Sequence, residues 1–592
     1  MKQKLSLNFF SYFFIFFLIF FSLNSMGTES SLETCSEVAH GENFFLQKCE
    51  NLHVLTLQGT PTERAQLHGQ MLKKYLSRDV FNYFSDRILK ETSQKNLFIK
   101  WTASLFYNWW VNRMMSHAPT EFIDEIKAMA EGAEADFQTI KRAMALPDTA
   151  SVFAALPIRG LFKTLFVMGC TSVARQSEDG NFVYGRNLEF SGTKVFDEHP
   201  LMTIQIPKEG SNELKHITFG ADGVQFGGIT GVNEAGIAIA IHQLVTSDSD
   251  SFGVPMIFVG ELVLRQAKTL DEAQEIINKN RPGPMWVFVL ADINRKEARA
   301  LEVSAKYLNA RKMETNIFGQ TNHIMGPEQQ KDFASQGWID NSHFRENMTR
   351  SLISQDKSVT AESAAKVLSF QSNQQGQLTA NRDILKAITI QSVIFENKNS
   401  IKKIFVSFES APTSSGKFAE FQWQQLFAAS PKGTNSKLEF IVQNLSHTPP
   451  EVRDNQKKLA HVAWLSEEKK YFELTEFLKD HPTASAKLMR ATAFLNLEKY
   501  SEAQALIEEN RHRTDLTPTE VKSGHWLELF IKVRTHQDIE AKQMAKNLES
   551  LYSDDHEFHV ILHKIALGED LGMFEKSVNF SIFSGGVSSH LF

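Results

Sequence analysis

The sequence predicts an α+β fold with largely antiparallel sheets, for three reasons. Short apolar runs joined by tight turns recur from residue 170 to about residue 408. Helical periodicity dominates the segments before and after that region, and two helical stretches interrupt the strands. Hairpin strands and helices that must each bury one apolar side fit a sandwich of two sheets with helices outside.

Four pairs of strand-like runs carry the hairpin prediction. In each pair the runs flank a short turn that contains Asn, Asp or Gly, the residues that favour tight connections between antiparallel strands. The predicted strands are 170–175 with 181–190, 225–232 with 237–244, 285–293 with 298–304, and 392–396 with 403–408.

Caps and periodicity predict the helices. Residues 28 to about 168 are mostly helical in pattern, with Thr62 as the N-cap of an amphipathic helix and a further helix over 121–134. Inside the strand region, Pro255 suits the first turn of a helix over 256–268. Thr269 and Glu272 form a capping box for a helix over 271–280.

One segment of the first helical region is rich in tryptophan. Trp101, Trp109 and Trp110 lie within ten residues, with Lys100 and Arg113 on either side. Two interpretations stay open. The sequence favours a core helix, and the alternative is a helix that contacts a membrane surface or lines an acyl pocket.

Composition and motifs limit the class of function. The chain has 592 residues and a net charge of −6, without the basic field that nucleic-acid binding requires. It contains no zinc-type Cys/His spacing, no P-loop and no GxGxxG motif. We therefore expect no nucleic-acid partner, no metal and no cofactor.

A third region starts near residue 430. Pro431, Gly433 and Pro449-Pro450 predict a linker over 429–455. The chain beyond it is helical in pattern, and residues 487–495 followed by Tyr500 and Ala503 are typical of a tetratricopeptide helix pair. We predict a tetratricopeptide-like domain over 456–592, of a kind that binds a protein partner or packs on its own chain.

Residues 1–25 predict a signal peptide. Lys2 and Lys4 give a positive start, and the apolar run over 9–23 is short for a membrane span. Export to the periplasm or the cell exterior follows, with an uncleaved membrane anchor as the alternative. In an oxidising compartment Cys35 and Cys49 would form a disulfide or remain two free thiols, and Cys170 would stay unpaired.

Cys170 is the strongest functional signal. It follows Gly169, and a strand, a turn and a second strand separate it from Arg186. If the Gly169–Cys170 bond is cut, Cys170 gains an α-amine with a pKa of about 7.7–8.0, which accepts the thiol proton near neutral pH. Base and nucleophile then belong to one residue. A buried structural cysteine is the alternative.

Four motifs in order, GCTSV, DGNFVYGRNLEF, GVNEAG and TNH, resemble the N-terminal-nucleophile hydrolases that cleave linear amides. These are the choloylglycine hydrolases, penicillin V acylases, acid ceramidase, N-acylethanolamine acid amidase and the isopenicillin N acyltransferase-like peptidases, of which the last are nearest. The resemblance spans residues 52–423. It implies a four-layer αββα fold, with a helical α region over 26–169 that ends at the cleavage site and a catalytic domain over 170–428.

The resemblance also implies roles for six residues. Cys170 is the nucleophile, Arg186 contacts it, Glu189 stands where the relatives hold the amine with Asp, Asn233 and Asn322 stabilise the oxyanion, and Arg345 is the second active-site arginine, with Arg350 and Arg382 as alternatives. Four of them have a plainer interpretation: a surface ion pair for Arg186 and Glu189, a turn for Asn233 and an exposed helix position for Arg345. A Cys–His dyad that uses His242 or His323 is the rival mechanism.

The resulting expectation is an exported enzyme that splits itself between Gly169 and Cys170. It would cleave a linear non-peptide amide or lipid amide with an apolar acyl group, or transfer that group to an amine. Two alternatives remain: a non-catalytic envelope protein that binds a partner with its C-terminal helices, and a membrane-attached protein.

Overall fold

The computed structural model describes residues 31–588 except 93–96, 156–167, 225, 227, 245, 247–252, 328–335, 373–377, 379–382, 434–435, 554–555, 570–578 and 582–585. The predicted signal peptide lies outside the described residues, as does Arg382. Among the helices within these ranges, none has both the length and the apolar composition needed to cross a bilayer.

The first sheet has eight strands among the described residues, and every neighbouring pair is antiparallel. From edge to edge they are β1 (Leu32–Thr34), β18 (Glu439–Gln443), β17 (Phe418–Gln422), β16 (Ile401–Ser407), β15 (Thr389–Lys398), β6 (Phe182–Phe190), β5 (Met168–Gln176) and β14 (Ile317–Gln320).

The second sheet has ten strands in the described part of the chain. In order they are β13 (Leu308–Lys312), β12 (Glu297–Val303), β11 (Trp286–Asp292), β10 (Ile237–Gln243), β9 (Thr230–Asn233), β8 (His216–Ala221), β7 (Pro200–Pro207), β4 (Leu52–Gly59), β3 (Phe44–Cys49) and β2 (Ser36–His40). Among the strands of this sheet that the structure describes, β4 and β7 are the pair that runs parallel. All four predicted hairpins are confirmed, as β5–β6, β9–β10, β11–β12 and β15–β16.

The α-helices flank this pair of sheets or follow it. They are α1 (Pro61–Lys74), α2 (Asp79–Thr92), α3 (Leu97–Met115), α4 (Thr120–Ala133), α5 (Phe137–Ala155), α6 (Met256–Gln266), α7 (Leu270–Lys279), α8 (Gln336–Gln355), α9 (Ala361–Leu368), α10 (Trp423–Ala428), α11 (Pro450–Glu467), α12 (Tyr471–Phe477), α13 (Ala484–Asn496), α14 (Tyr500–Arg511), α15 (Pro518–Arg534), α16 (Asp538–Glu549) and α17 (His556–Leu567). A separate hairpin joins β19 (Asn579–Ser581) and β20 (Gly586–Ser588).

Three apolar cores define four layers. One core lies between the sheets, where Phe182 and Phe395 of the first meet Met202 of the second. A second core packs α1, α4 and α6 on the outer face of the second sheet, and a third packs α8 and α9 on the outer face of the first. The fold is therefore α+β with an αββα arrangement, because each sheet buries both faces.

The region over 26–169 differs from the prediction, since its first part is not helical. Residues 32–59 form β1–β4, which enter both sheets, and Cys35 is joined to Cys49 by a disulfide. The helix that follows begins at Pro61 with Thr60, not Thr62, as its N-cap and Glu63 as the capping-box partner. A chain cut after Gly169 would therefore keep its two pieces interleaved within shared sheets.

The tryptophan-rich helix α3 is only partly a core helix. Tyr107 and Val111 are buried on one side. Four large apolar side chains on the other side are about half exposed, namely Trp101, Leu105, Phe106 and Trp109. The favoured interpretation as a core helix is therefore wrong for this face, and contact with a membrane stays a prediction.

The C-terminal part is helical as predicted, from α11 to α17. The linker prediction over 429–455 needs correction, because Glu439–Gln443 forms β18 and pairs with both β1 and β17. The assignment of α11–α17 to tetratricopeptide repeats stays a prediction.

Candidate active site

The β5–β6 hairpin places Cys170 at one end of the sandwich interior. In the register of the two strands Cys170 lies opposite Leu188, and Gly169 lies opposite Glu189. Because side chains alternate along a strand, Cys170, Ser172 and Arg186 project between the sheets while Glu189 projects towards α8. The thiol is fully buried.

Two groups contact the thiol sulfur. Arg186 donates from Nη2 to Cys170 Sγ at 3.3 Å, and the carbonyl oxygen of Ile241 lies 3.6 Å from the same sulfur. Nη2 of Arg186 also donates to Ile241 O at 3.0 Å, and Nη1 donates to Ile229 O at 2.8 Å and to Thr230. The second sheet thus holds the guanidinium against the thiol.

Burial controls the charge state of this thiol. Loss of solvation raises the pKa of Cys170 above its ordinary value, and the nearby Arg186 opposes that rise. The thiol is therefore protonated near neutral pH in this uncut form. A base is needed before it can act as a nucleophile.

Asn322 and Arg345 hold the backbone of Cys170. The Cys170 N–H donates to Asn322 Oδ1 at 2.7 Å, and Arg345 donates from Nη2 to the same oxygen at 2.9 Å. Arg345 also donates from Nη1 to the Cys170 carbonyl at 2.8 Å. Two buried side chains thus hold the nitrogen and the carbonyl oxygen of Cys170.

Glu189 lies opposite Gly169 in the β5–β6 hairpin, and its side chain is on the α8 side of the first sheet. Its Oε2 is 3.5 Å from Arg345 Nη1, and its Oε1 finds no hydrogen-bond donor among the described residues. Burial raises the pKa of Glu189 to about 7, although Arg345 opposes the rise. The Glu189 carboxyl group is therefore weakly paired, and its pKa lies near neutral pH.

The side-chain bonds of Asn233 lead away from Cys170. Its Nδ2 donates to Leu264 O at 3.2 Å and to Ala267 O at 2.7 Å, and its Oδ1 accepts from Ile237 N at 3.0 Å. These three bonds join the Asn233 side chain to β10 and to the C-terminal end of α6. The role of Asn233 as an oxyanion donor stays a prediction, and these contacts give it no support, because the amide ties the β9–β10 turn to the end of α6.

The two histidines of the rival mechanism are also committed elsewhere. Nδ1 of His242 faces the Thr321 carbonyl at 3.1 Å and Nε2 faces Ser172 Oγ at 2.8 Å. Nδ1 of His323 lies 2.9 Å from Ser342 Oγ. Burial lowers both pKa values, that of His323 to about 3. Neither ring contacts Cys170, so the geometry does not support a Cys–His dyad.

Of Arg345 and Arg350, the two alternatives that lie within the described residues, Arg345 reaches the site. Arg350, one turn further along α8, lies 3.5 Å from Glu346 and covers Gly319. The prediction of Arg345 therefore has the geometric support that Arg350 lacks.

Sequence reasoning missed Gln243. Its carbonyl accepts from Asn322 Nδ2 at 3.1 Å, and its side-chain Nε2 donates to Ser151 Oγ of α5 at 2.9 Å. It thereby fixes the amide that holds Cys170 N. The available signal was a polar residue at the end of the apolar strand Ile237–Gln243.

An apolar cavity of about 70 Å³ adjoins the site. Leu188, which lies opposite Cys170, forms part of its wall, and Ile229, whose carbonyl binds Arg186, forms another. The other lining residues come from α2, α5, α6, β6, β8, β15 and the segments around Phe196 and Phe226. Apart from glycine, all of its lining side chains are apolar.

The arrangement supplies the parts for nucleophilic attack on an acyl group. It presents a thiol beside a guanidinium, an amide that binds the nitrogen of the same residue, and an apolar space for the acyl portion. Elsewhere in the described residues, no three His, Cys, Asp or Glu side chains gather as metal ligands would.

Part of the chain matches the model of a known protein family. The family model described as "Acyl-coenzyme A:6-aminopenicillanic acid acyl-transferase" matches residues 175–408, which include Arg186, Glu189, Asn322 and Arg345 and begin five residues after Cys170. Among solved structures, the N-acylethanolamine-hydrolyzing acid amidase (NAAA) ortholog of Caenorhabditis elegans is similar at 16% identity and a TM-score of 0.28, covering 38% of this chain and 92% of its own.

A search of curated proteins finds no match to the sequence. The family match covers most of the strands from β5 to β16, together with α6–α9. Over residues 175–408 the αββα domain is therefore similar to the acyl-coenzyme A:6-aminopenicillanic acid acyl-transferase family.

Proposed function

We propose that the protein is a self-cleaving cysteine amidohydrolase or acyltransferase that forms an acyl-enzyme on Cys170. The observation that carries the proposal is the set of contacts around one residue. Arg186 contacts its sulfur, Asn322 accepts from its N–H and Arg345 donates to its carbonyl. A structural cysteine requires none of these three.

Maturation would begin with attack of the Cys170 sulfur on the Gly169 carbonyl carbon. The sulfur–carbon bond forms, the Gly169–Cys170 amide bond breaks, and the freed nitrogen takes a proton. Water then cleaves the thioester, which leaves a carboxylate on Gly169 and restores the thiol. Gly169 has no side chain to obstruct the attack, and Arg186 stabilises the thiolate.

Turnover would use the new α-amine as the base. The amine lies where Asn322 Oδ1 accepts from the nitrogen, which orients its lone pair. It takes the thiol proton, the sulfur attacks the substrate carbonyl, and the proton passes to the leaving amine. Water or a second amine then releases the acyl group, giving hydrolysis or transfer.

The acyl group is proposed to be apolar and to enter the cavity beside Leu188. An apolar group gains about 25 cal/mol for each Å² that it removes from water, and the cavity wall offers no polar partner to a charged group. A lipid amide or another amide with an apolar acyl part fits this wall.

The test is acid release from a panel of amides by purified, untagged protein. Penicillin V, bile-salt conjugates, N-acylethanolamines and acyl homoserine lactones are incubated with the wild type and with Cys170→Ala, and the free acid is measured by mass spectrometry. We expect release by the wild type alone, with transfer revealed when an added amine captures the acyl group. Equal traces from both proteins across the panel would favour the binding-protein alternative.

A further inference from the structure

The C-terminal helical part contacts the catalytic domain beside the apolar cavity. Glu467, the last residue of α11, accepts through Oε2 from the Gly192 N–H at 3.0 Å, and its Oε1 accepts from the Tyr83 hydroxyl. Tyr83 belongs to α2, and Gly192 follows β6. One carboxyl group therefore joins three separate segments of the molecule.

Two of these segments form the cavity wall. Val80, Phe81 and Phe84 of α2 line it, and so does Phe196, four residues after Gly192. The Phe84 ring lies 5.5 Å from the Phe190 ring and 6.4 Å from the Phe196 ring, measured between centroids. The Glu467 contacts thus flank the aromatic residues of one side of the cavity.

Further contacts hold the loop after β6 against α11. Thr193 Oγ1 donates to the Ala460 carbonyl at 3.3 Å, and Lys194 Nζ lies 4.5 Å from the centre of the Trp464 ring. Gly192 has a φ of 105°, and a Cβ there would lie 3.2 Å from the Tyr83 ring. Only glycine allows the loop to approach α2 this closely.

We propose that Glu467 is a positioning residue that sets the acyl-chain preference of the active site. It acts through Tyr83 and Gly192, which place Phe84 and Phe196 on the cavity wall, and it does not touch the reacting atoms. The C-terminal helices are then part of the substrate-binding machinery. This inference rests on the proposed function.

The hydrogen bonds of the Glu467 carboxyl group can hold α2 and the loop after β6 in fixed positions on the cavity wall. A carboxyl group that receives two hydrogen bonds from different segments restrains both at once, whereas an apolar contact would let them slide. Burial raises the pKa of Glu467 to about 8, so the group is largely neutral at neutral pH and need not bury a charge. Gln is therefore its closest uncharged replacement.

The experiment compares four variants on one amide series. Glu467→Ala removes the carboxyl, Tyr83→Phe removes one partner with little risk to folding, Glu467→Gln keeps the shape, and Glu451→Ala at the exposed start of α11 is the matched control. Each variant hydrolyses N-acyl anilides with acetyl, butyryl, decanoyl and palmitoyl groups, and kcat and KM are measured separately.

We expect Glu467→Ala and Tyr83→Phe to change the ratio of kcat/KM between long and short acyl groups by roughly tenfold, mainly through KM. Glu467→Gln should restore the wild-type ratio, and Glu451→Ala should leave it unchanged. All four should still cut at Gly169–Cys170, since none touches Cys170. A constant ratio in fully cut Glu467→Ala would overturn the inference.

A readout independent of catalysis separates this inference from the proposed function. Hydrogen exchange of the Gly192 amide should accelerate in Glu467→Ala and not in Glu451→Ala, because its acceptor is gone. If the wild type releases no acid from any amide, the proposed function fails. If exchange at Gly192 is unchanged, the positioning role fails whatever the activity.

Discussion

The family resemblance implies the same oxyanion role for Asn322 and Asn233. The structure gives the two side chains different hydrogen-bond partners. Asn322 accepts from Cys170 N and Arg345, two groups of the candidate site. Asn233 bonds only to backbone groups of its own turn and of the end of α6. The role of a buried amide therefore follows from its hydrogen-bond partners, since both residues are fully buried.

Two buried carboxyl groups, those of Glu261 and Glu189, differ in the same way. Glu261, on α6, is 3.0 Å from both Arg265 and His216, and these outweigh burial to lower its pKa to about 2. Glu189 has one arginine at 3.5 Å, and burial raises its pKa to about 7. Glu261, which lies outside the candidate site, is closely paired with two basic groups, whereas Glu189 in the candidate site has one more distant arginine.

The largest expected effect is on catalysis, from Asn322→Ala. Loss of the group that binds the Cys170 nitrogen should lower kcat by about 10²–10³-fold, the range typical for a preorganised active-site amide. Steady-state amide hydrolysis with fully cut protein measures it. Asn233→Ala is the matched control, and an equal loss of kcat in both variants would break the contrast between the two asparagines.

The second prediction concerns the pH dependence of stability that Glu189 causes. Its folded pKa of about 7 lies above the ordinary 4.5, so the folded state binds more protons than the unfolded state and stability falls as pH rises from 4.5 to 7. At about 1.4 kcal/mol per pKa unit the loss is about 3 kcal/mol. Glu189→Gln in the uncut Cys170→Ala background should remove it, as measured by denaturant unfolding between pH 4 and 8.

Glu261 should show the opposite sign. Its folded pKa of about 2 lies below the ordinary 4.5, so its contribution is present above pH 4.5 and is lost as pH falls towards 2. Acid unfolding of Glu261→Gln should therefore be less steep below pH 4.5 than that of the parent. A steeper acid transition would show that Glu261 is not held ionised by Arg265 and His216.

The smallest effect is on stability, from Asn233→Ala. The change leaves two backbone carbonyls and one N–H of the β9–β10 turn and α6 without their partner, which should lower the free energy of unfolding by about 2 kcal/mol. Urea unfolding of the Cys170→Ala background measures the shift. The kcat of cut protein should change less than threefold, and a greater fall would return Asn233 to the catalytic group.

The sequence predicted the contacts within a single hairpin, but not those between residues that are far apart along the chain. Cys170 and Arg186 share one hairpin, so their spacing alone predicts that they face the same side. The motif around Asn233 could not separate a catalytic role from a turn, because a turn selects Asn and Gly for conformational reasons alone. Gln243 was missed because its role depends on Asn322 and Ser151, which are far from it along the chain.

Contacts between distant segments also explain why the sequence analysis missed strands β1–β4. Strands β1–β4 occur in a region whose later residues are strongly helical, and β1 and β4 pair with strands that lie far along the chain, β18 and β7. The contact of Glu467 with Tyr83 and Gly192 likewise joins residues that no local pattern relates. Pairings of this kind follow from tertiary packing and not from propensity.

The most direct test of the account is the N-terminal sequence and intact mass of the chains in purified, active protein. We predict two chains that separate only on denaturation, the larger running from Cys170 to Phe592, and a single uncut chain for Cys170→Ala. A wild-type protein that hydrolyses amides while Gly169 and Cys170 remain joined would contradict the central claim, because its thiol would act without an α-amine.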